Sequence, residues 1–543
     1  MKKTLALLTF AAIILSACTH KNTDPEETKL FDQASANGLL VNEGFNRSLN
    51  FVKGWIPLAD PVTGLFPRNI NDEKSKDIWN AKDCAADNYP FMVMVTSMLS
   101  DELFNGKMKE ILETEKRITS RLGALPDTWS FSKQAFANPD TVISDIIFGS
   151  AEYVKDGLIP LYEWLGPSPW SKRMISIVDD CWKYAPLKTP YGNIISDDPE
   201  VNGDMLQALS RIYWITGDRK YLELAVRLGD YYLLGNNHPT RNFKVLRLRD
   251  HGCEIVSGLC ELYAAVSISD KAKMDQYRTP IHEMLDRILE VGRNEDGLFY
   301  NSVDPVKGVP VDGGIADNFG YTLNGFYTVY LLDGDEKYRE PVIEALDVLY
   351  GKYRNFAWEG KSQDGYADAI EGALNLYTRE EVPSAKEWID SEIKVLWGKQ
   401  QPSGIIEGWH GDGNFARTTI MYCLWKTGGF RLSPWREDLK IGGVMKDSTV
   451  YLTITADKEW TGSLIPDRKR HLDYMHMPYD WPRINQFPEY FTVEKEKDYT
   501  VMSGRNMKEN VLSGEEFLKG YQVEVKAGET VRMKICSGVA CND

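Results

Sequence analysis

The chain reads as mainly α, an (α/α)6 toroid with seven helix pairs as the larger count, followed by a small C-terminal antiparallel β-sandwich. Three observations predict this. Runs that are apolar on nearly every side, each opening with acids and amides, return roughly every 45–65 residues, the period of a helix-pair repeat. Amphipathic stretches of helical period lie between them. After Trp435 the texture changes to apolar–polar alternation broken by turn residues.

Taken in order, Lys2 and Lys3 followed by the apolar stretch Leu5–Leu15 form a targeting segment outside the fold. Leu15-Ser16-Ala17-Cys18 resembles the lipobox of bacterial lipoproteins, which implies cleavage before Cys18 and a lipid on its thiol. Residues 19–38 are expected to tether the fold, 39–434 to form the barrel and 435–543 the β-domain. The expected location is the cell envelope, with membrane contact only through the lipid. Glu43–Trp55 reads as a helix, and the DPVTGLFP stretch (60–67) as a turn.

The polar-tipped runs then follow. WNAKDCAADNYPF carries Trp79, Asp83, Asp87 and Asn88, and the next, weakest copy opens at Asp145. VNGDMLQAL carries Asp204, and RDHGCEIVSG carries Arg249, Asp250, His251 and Glu254. VDGGIADNFGYTLNGFY opens on a turn at Gly313-Gly314 and carries Asp317, Asn318 and Tyr321. DGYADAIEG brings Asp364, Tyr366, Asp368 and Glu371, and EGWHGDGNFAR brings Trp409, His410, Asp412 and Arg417. Amphipathic helices are expected at 220–234, 274–292, 337–353 and 385–399. Alternating strands are expected at 450–456, 490–493 and 521–535, with 468–491 as a long aromatic, proline-rich loop that packs back on the barrel.

With 543 residues and a net charge of −16, nucleic acid and anionic membrane surfaces are poor partners, whereas a local Arg or His pocket can still take an acidic sugar. Of the eight cysteines none shows metal spacing; Cys536 and Cys541 can close a small loop or stay free. No phosphate-binding loop, dinucleotide turn, zinc helix or serine elbow is present. No metal or cofactor is called for, and a Ca²⁺ at Asp197 and Asp198 has no motif behind it.

Carboxylates with aromatics and amides beside them are what glycoside hydrolysis needs: one carboxyl protonates the leaving oxygen, and another activates water or attacks the anomeric carbon. Asp250 and Glu254 are spaced i, i+4 and Asp368 and Glu371 i, i+3, so each pair shares a helix face. The acid and base are expected among Glu254, Asp317, Asp368 and Glu371. Against this, an Asp at a helix start is ordinarily an N-cap. Substrate contacts are expected from Arg68, Trp79, Asp87, Asn88, Asp204, Arg249 and His251, and from Asn318, Tyr321, Tyr366, Trp409, His410 and Arg417. Arg can grip a uronate bidentately, or simply pair with a neighbouring acid.

The WNAKDCAADNYPF and ADNFGYTLNGFY segments with the C-terminal β-domain resemble glycoside hydrolase family 154. That resemblance implies β-glucuronidase activity; the unsaturated glucuronyl hydrolases are similar in architecture. The expected function is removal of a terminal uronic acid from an oligosaccharide, in a bacterial carbohydrate-active lipoprotein. A polysaccharide lyase using Tyr or His as base, and a non-catalytic glycan-binding protein, are the alternatives.

Overall fold

The structure, a computed structural model, describes residues 24–250, 252–504, 507–538 and 541. Cys18, the leader and His251 lie outside the described residues.

Seven inner helices form a closed ring. They are α1 (Tyr89–Leu99), α2 (a rod of Ile143–Glu152, Tyr153–Leu158 and Ile159–Leu165), α3 (Pro199–Thr216), α4 (Glu254–Ser269), α5 (Phe319–Asp333), α6 (Gln363–Tyr377) and α7 (Asp412–Thr427). Each packs on the next, and α7 packs back on α1. The count is therefore seven, the larger of the two expected. Their sequences dictate the position: in α4 every residue from Glu254 to Val266 is buried, which only a helix flanked on all sides allows. The outer layer is Pro25–Trp55, Lys109–Ile118, Pro169–Lys183, Arg219–Gly229, Lys271–Val291, Glu340–Lys352 and Pro383–Trp397, amphipathic helices that bury one face.

Inner helices approach closely where glycine replaces a side chain. A Cβ added at Gly320 on α5 would sit 2.4 Å from Gly372 Cα on α6. The glycines of the recurring polar tips are thus what narrows the ring at that end.

The first helix begins at Pro25, capped by Asp24, so residues 25–38 are helix rather than tether. Phe31, Ala34 and Val41 continue its buried stripe upstream of Glu43. Gly313 and Gly314 lie in the strand Val309–Ile315, which pairs with Tyr300–Asp304, and make no turn before α5.

Eight strands follow: β1 (Arg431–Ser433), β2 (Lys440–Lys446), β3 (Thr449–Thr455), β4 (Trp460–Ile465), β5 (Asp498–Ser503), β6 (Lys508–Ser513), β7 (Tyr521–Val525) and β8 (Thr530–Ser537). They form antiparallel sheets of order β1-β4-β7 and β2-β3-β8-β5-β6. Strand β2 lies on the Pro25–Trp55 helix, so close that a Cβ at Gly442 would meet the Ala34 carbonyl at 2.1 Å. Cys536 and Cys541 form a disulfide.

The long connection between β4 and β5 enters the toroid from the C-terminal ends of the inner helices. Trp481 Nε1 donates to Glu261 (3.2 Å), Arg483 to Glu163 (3.0 Å), and Asn375 Nδ2 to the Arg483 carbonyl (2.9 Å). The tip, Asn485, adopts a left-handed conformation (φ 58°) that Asn tolerates. It stops beneath the polar ends of the helices.

Candidate active site

The N-terminal ends of the inner helices surround a cleft of about 160 Å³. Two short π-helical turns, Ala81–Asn88 and Tyr153–Leu158, carry part of its wall, as such turns often do at functional sites. Among the described residues nine carboxyls (Asp83, Asp87, Glu152, Asp156, Asp250, Glu254, Glu359, Asp364, Asp368) and three cations (Lys82, Lys155, Arg417) line it, so most cationic charge is already matched within the wall.

Asp368 stands at its centre. It accepts hydrogen bonds from Arg417 Nη2 (2.5 Å), Asn318 Nδ2 (2.7 Å) and the Tyr321 hydroxyl (3.0 Å). Three donors, one of them charged, suit an ionised carboxylate. Asn318 occupies the N-cap position of α5 without capping it. Its amide instead serves Asp368 and accepts the Asp250 N–H (2.7 Å). One turn earlier on α6, Asp364 accepts from Asn414 Nδ2 (2.7 Å). Burial pushes the Asp364 carboxyl well above the usual carboxylate range, and the neighbouring charges of Asp368 and Asp87 push it further.

Behind this pair lies Glu371, which does not line the cleft. Arg417 Nε stands 2.6 Å away, and the Asn485 backbone N–H donates to it (2.7 Å). Burial pushes Glu371 up to about 7 against the pull of Arg417. The Asn485 side chain accepts from Arg417 (3.0 Å) and donates to Asp156 (2.8 Å), so a residue of the β-domain's loop closes the floor.

The second cluster centres on buried Lys155, 2.8 Å from Asp156, 3.5 Å from Glu254 and 3.6 Å from Asp204. Burial raises the Asp204 carboxyl well above its ordinary range, and Lys155 lowers that of Asp156 despite burial. Carboxylate oxygens of Glu152, Asp156 and Asp204 lie within 4.8 Å of one another, a possible metal donor set in which the Lys155 ammonium already supplies positive charge.

At the rim, Asp83 is held by Arg68 and accepts from Asn80 (2.5 Å), with His410 Nε2 3.3 Å away. Burial lowers His410 to about 4, so its imidazole is neutral at pH 7. Trp409 packs its ring edge-on against His410. Lys82 has no carboxylate partner among the described residues and lies 3.9 Å from the centre of the Phe148 ring.

Of the residues expected from the sequence, Asp87, Glu254, Asn318, Tyr321, Asp368, Trp409, His410 and Arg417 meet in this cleft. The other described ones lie outside its lining. Trp79 is core, Asn88 and Asp204 are fully buried, and Tyr366 donates its hydroxyl to the Phe356 carbonyl (2.7 Å). Arg68 serves Asp83, and Arg249 pairs with Glu359 and with Asp317 (3.6 Å). Asp317 is buried beside the wall rather than in it. The expected tip at Asp145 is exposed in the first turn of α2, and the α2 residues that line the cleft are Glu152, Lys155 and Asp156, two to three turns on. A Lys-Asp pair inside an otherwise apolar run is the signal that marks them, because buried charges need partners. Asn485, nearly 60 residues beyond the end of the last inner helix at Thr427, leaves no such local signal.

No family model matches the chain, and no curated protein matches it. Among solved structures it is similar to the GH76A α-1,6-mannanase from Salegentibacter sp. HEL1_6 (14% identity, 57% of this chain and 96% of that one, TM-score 0.39). It is also similar to a sugar epimerase from a ruminal bacterium (14%, 55% and 84%, TM-score 0.40). The unsaturated glucuronyl hydrolase from Bacillus sp. GL1 matches at 15% identity over 52% and 86%, with a TM-score of 0.36. Likenesses with TM-scores this low carry no activity over to this chain.

Proposed function

We propose that the cleft hydrolyses a glycosidic bond at a glycan end, with Asp364 as general acid and Asp368 as the carboxylate that activates water or attacks the anomeric carbon. The observation that carries this reading is their contrast on one helix. Burial raises the Asp364 carboxyl well above its ordinary range, while Asp368, one turn away, accepts three hydrogen bonds, one of them from a guanidinium. Two carboxyls in such different surroundings suit the separate acid and base roles. Tyr321, Arg417, Asn318 and Glu371 position Asp368. The floor formed around Asn485 stops a chain from threading through, which favours action on a terminal sugar.

For that sugar we carry forward the terminal uronic acid. Lys82, the lining cation without a carboxylate partner among the described residues, supports it, as does the resemblance to glycoside hydrolase family 154. Hydrolysis is favoured over β-elimination because burial holds the Tyr321 phenol well above its ordinary range and His410 at about 4. Neither is tuned to take a carbon-bound proton near neutral pH.

The test compares leaving groups. Asp364→Asn should lose about 10²–10⁴-fold on a uronate-capped oligosaccharide but far less on the 4-nitrophenyl β-glucuronide, whose phenolate leaves without acid help. Asp368→Asn should lose both. Equal losses on the two substrates in Asp364→Asn would remove it as the acid. Lys82→Met should raise KM for the glucuronide and leave that for the glucoside unchanged; equal effects on both would remove the uronate.

A further inference from the structure

At the other end of the toroid, where α2 and α7 finish and the β-domain begins, is a second cavity of about 70 Å³. Its wall contains three guanidinium groups, Arg431, Arg468 and Arg470, with Trp164 and Tyr474 beside them. The lining holds one carboxylate, Asp467, and that is spent: both its oxygens accept from Arg470 Nε, at 3.0 and 3.2 Å. Arg468 has a weak partner in Asp473 at 3.5 Å. Arg431 has no carboxylate or hydrogen-bond partner among the described residues; only the Trp164 face, 5.6 Å away, receives its charge. Nη1 of the fully buried Arg470 likewise makes no hydrogen bond, its nearest acid being Glu163 at 3.7 Å.

A guanidinium withdrawn from water without a counter-charge is costly. Burial works most strongly against the charge of Arg431; Asp467 and Tyr474 partly offset it, and the neighbouring Arg468 and Arg470 charges add to the burial effect. In a chain of net charge −16 such a concentration of positive charge is not a general surface property. We infer that this cavity is a binding site for one small oxyanion, a carboxylate or sulfate of the kind carried by acidic glycans, gripped by Arg431 and Arg468 beside the buried Arg470. Planar oxyanions suit such forks, which can donate two parallel N–H bonds. The cavity opens away from the catalytic cleft and shares no lining residue with it.

The experiment is calorimetric titration of the full chain lacking residues 1–18 with sodium D-glucuronate, sodium sulfate and, as neutral control, glucose, at constant ionic strength. It is run on wild type, Arg431→Gln, Arg468→Gln and Asp368→Asn. The expected result is saturable one-to-one binding of at least one anion and none of glucose, lost at least tenfold in Arg431→Gln and weakened in Arg468→Gln. Asp368→Asn should retain it, which separates this site from the cleft. Preference for glucuronate would assign a sugar carboxylate, and preference for sulfate a sulfate ester or the inorganic ion. In the absence of anion, Arg431→Gln should melt no lower than wild type, since an uncompensated charge is removed. Absence of saturable binding in wild type, or binding unaltered in both arginine variants, would overturn the site. Should Arg431→Gln fail to fold, Arg468→Gln decides by the same criterion.

Discussion

Asp317 illustrates how a single carboxyl in the wall links protonation to stability. Burial, with the charges of Asp368 and Glu359 close by, raises it to about 8, although Arg249 stands 3.6 Å away, engaged by Glu359. An unfolded Asp titrates near 3.9, so between about pH 4 and pH 8 the native state binds the extra proton. Stability from this group is therefore lost as pH rises through that window, with a slope set by the proton difference. At about 1.4 kcal/mol per pKa unit, the loss by pH 8 is on the order of several kcal/mol. Asp317→Asn should flatten the dependence: urea midpoints of variant and wild type should converge near pH 4 and diverge in favour of the variant by pH 8. A constant difference between the two would contradict the assigned titration. The sequence placed this residue correctly at the mouth end of α5, and its early position suggested a cap. Its neighbour Asn318 holds the cap position, and burial decides what Asp317 does; burial cannot be read from local spacing.

At the scale of elements, the ring depends on contacts as short as that between Gly320 and Gly372. Gly320→Ala puts a methyl group into the α5–α6 crossing, 2.4 Å from Gly372 Cα, with backbone rather than a flexible side chain in the way. The helices must part, at a cost of about 1–3 kcal/mol or more. Tyr321 and Asp368 lie on either side of that crossing, so kcat should fall at least tenfold while the fold survives. Thermal melting and turnover of the same sample check this, and full activity in a destabilised variant would refute the coupling. Apolar runs with polar tips made the inner helices legible in the sequence. Asp204 and Glu371 were visible as tip residues, yet they belong to the layer behind the cleft, because a helix tip shows a second and a third face that spacing alone does not separate. Asp145 misled for a different reason: α2 already begins at Ile143, so Asp145 sits in its exposed first turn and the residues that line the cleft lie two to three turns further along.

On the scale of the whole molecule, the β-domain is integral to the toroid rather than an appendage. Its sheet covers the Pro25–Trp55 helix, and its long loop supplies Asn485 to the floor of the cleft. A chain ending after Gly429 would expose the buried stripe Phe31, Ala34 and Val41 and leave Arg211, Glu261 and Glu163 without the loop groups they bind. It should show helical far-ultraviolet circular dichroism without near-ultraviolet signal, and no turnover. A native-like, active truncated protein would overturn this integration. The sequence did show the change of texture at the β-domain and a loop that packs back. That the loop enters from the far end could not be read, since its partners are scattered over five inner helices.

The Pro25–Trp55 helix has a further consequence, in the order of events as the chain is made. Trp55 Nε1 donates to Asp412 on α7 (3.1 Å), and Asn42 Nδ2 donates to the carbonyls of Glu437 and Leu439 (2.8 Å each). This helix must therefore wait for segments 357 to 395 residues later in the chain before its apolar stripe is covered. Pairings of such sequence separation form late and slowly. Until they form, the growing chain carries an open arc of greasy helices, the state in which large proteins aggregate. Synthesis of this fold places a heavier demand on whatever shields nascent chains than its compact finished ring suggests.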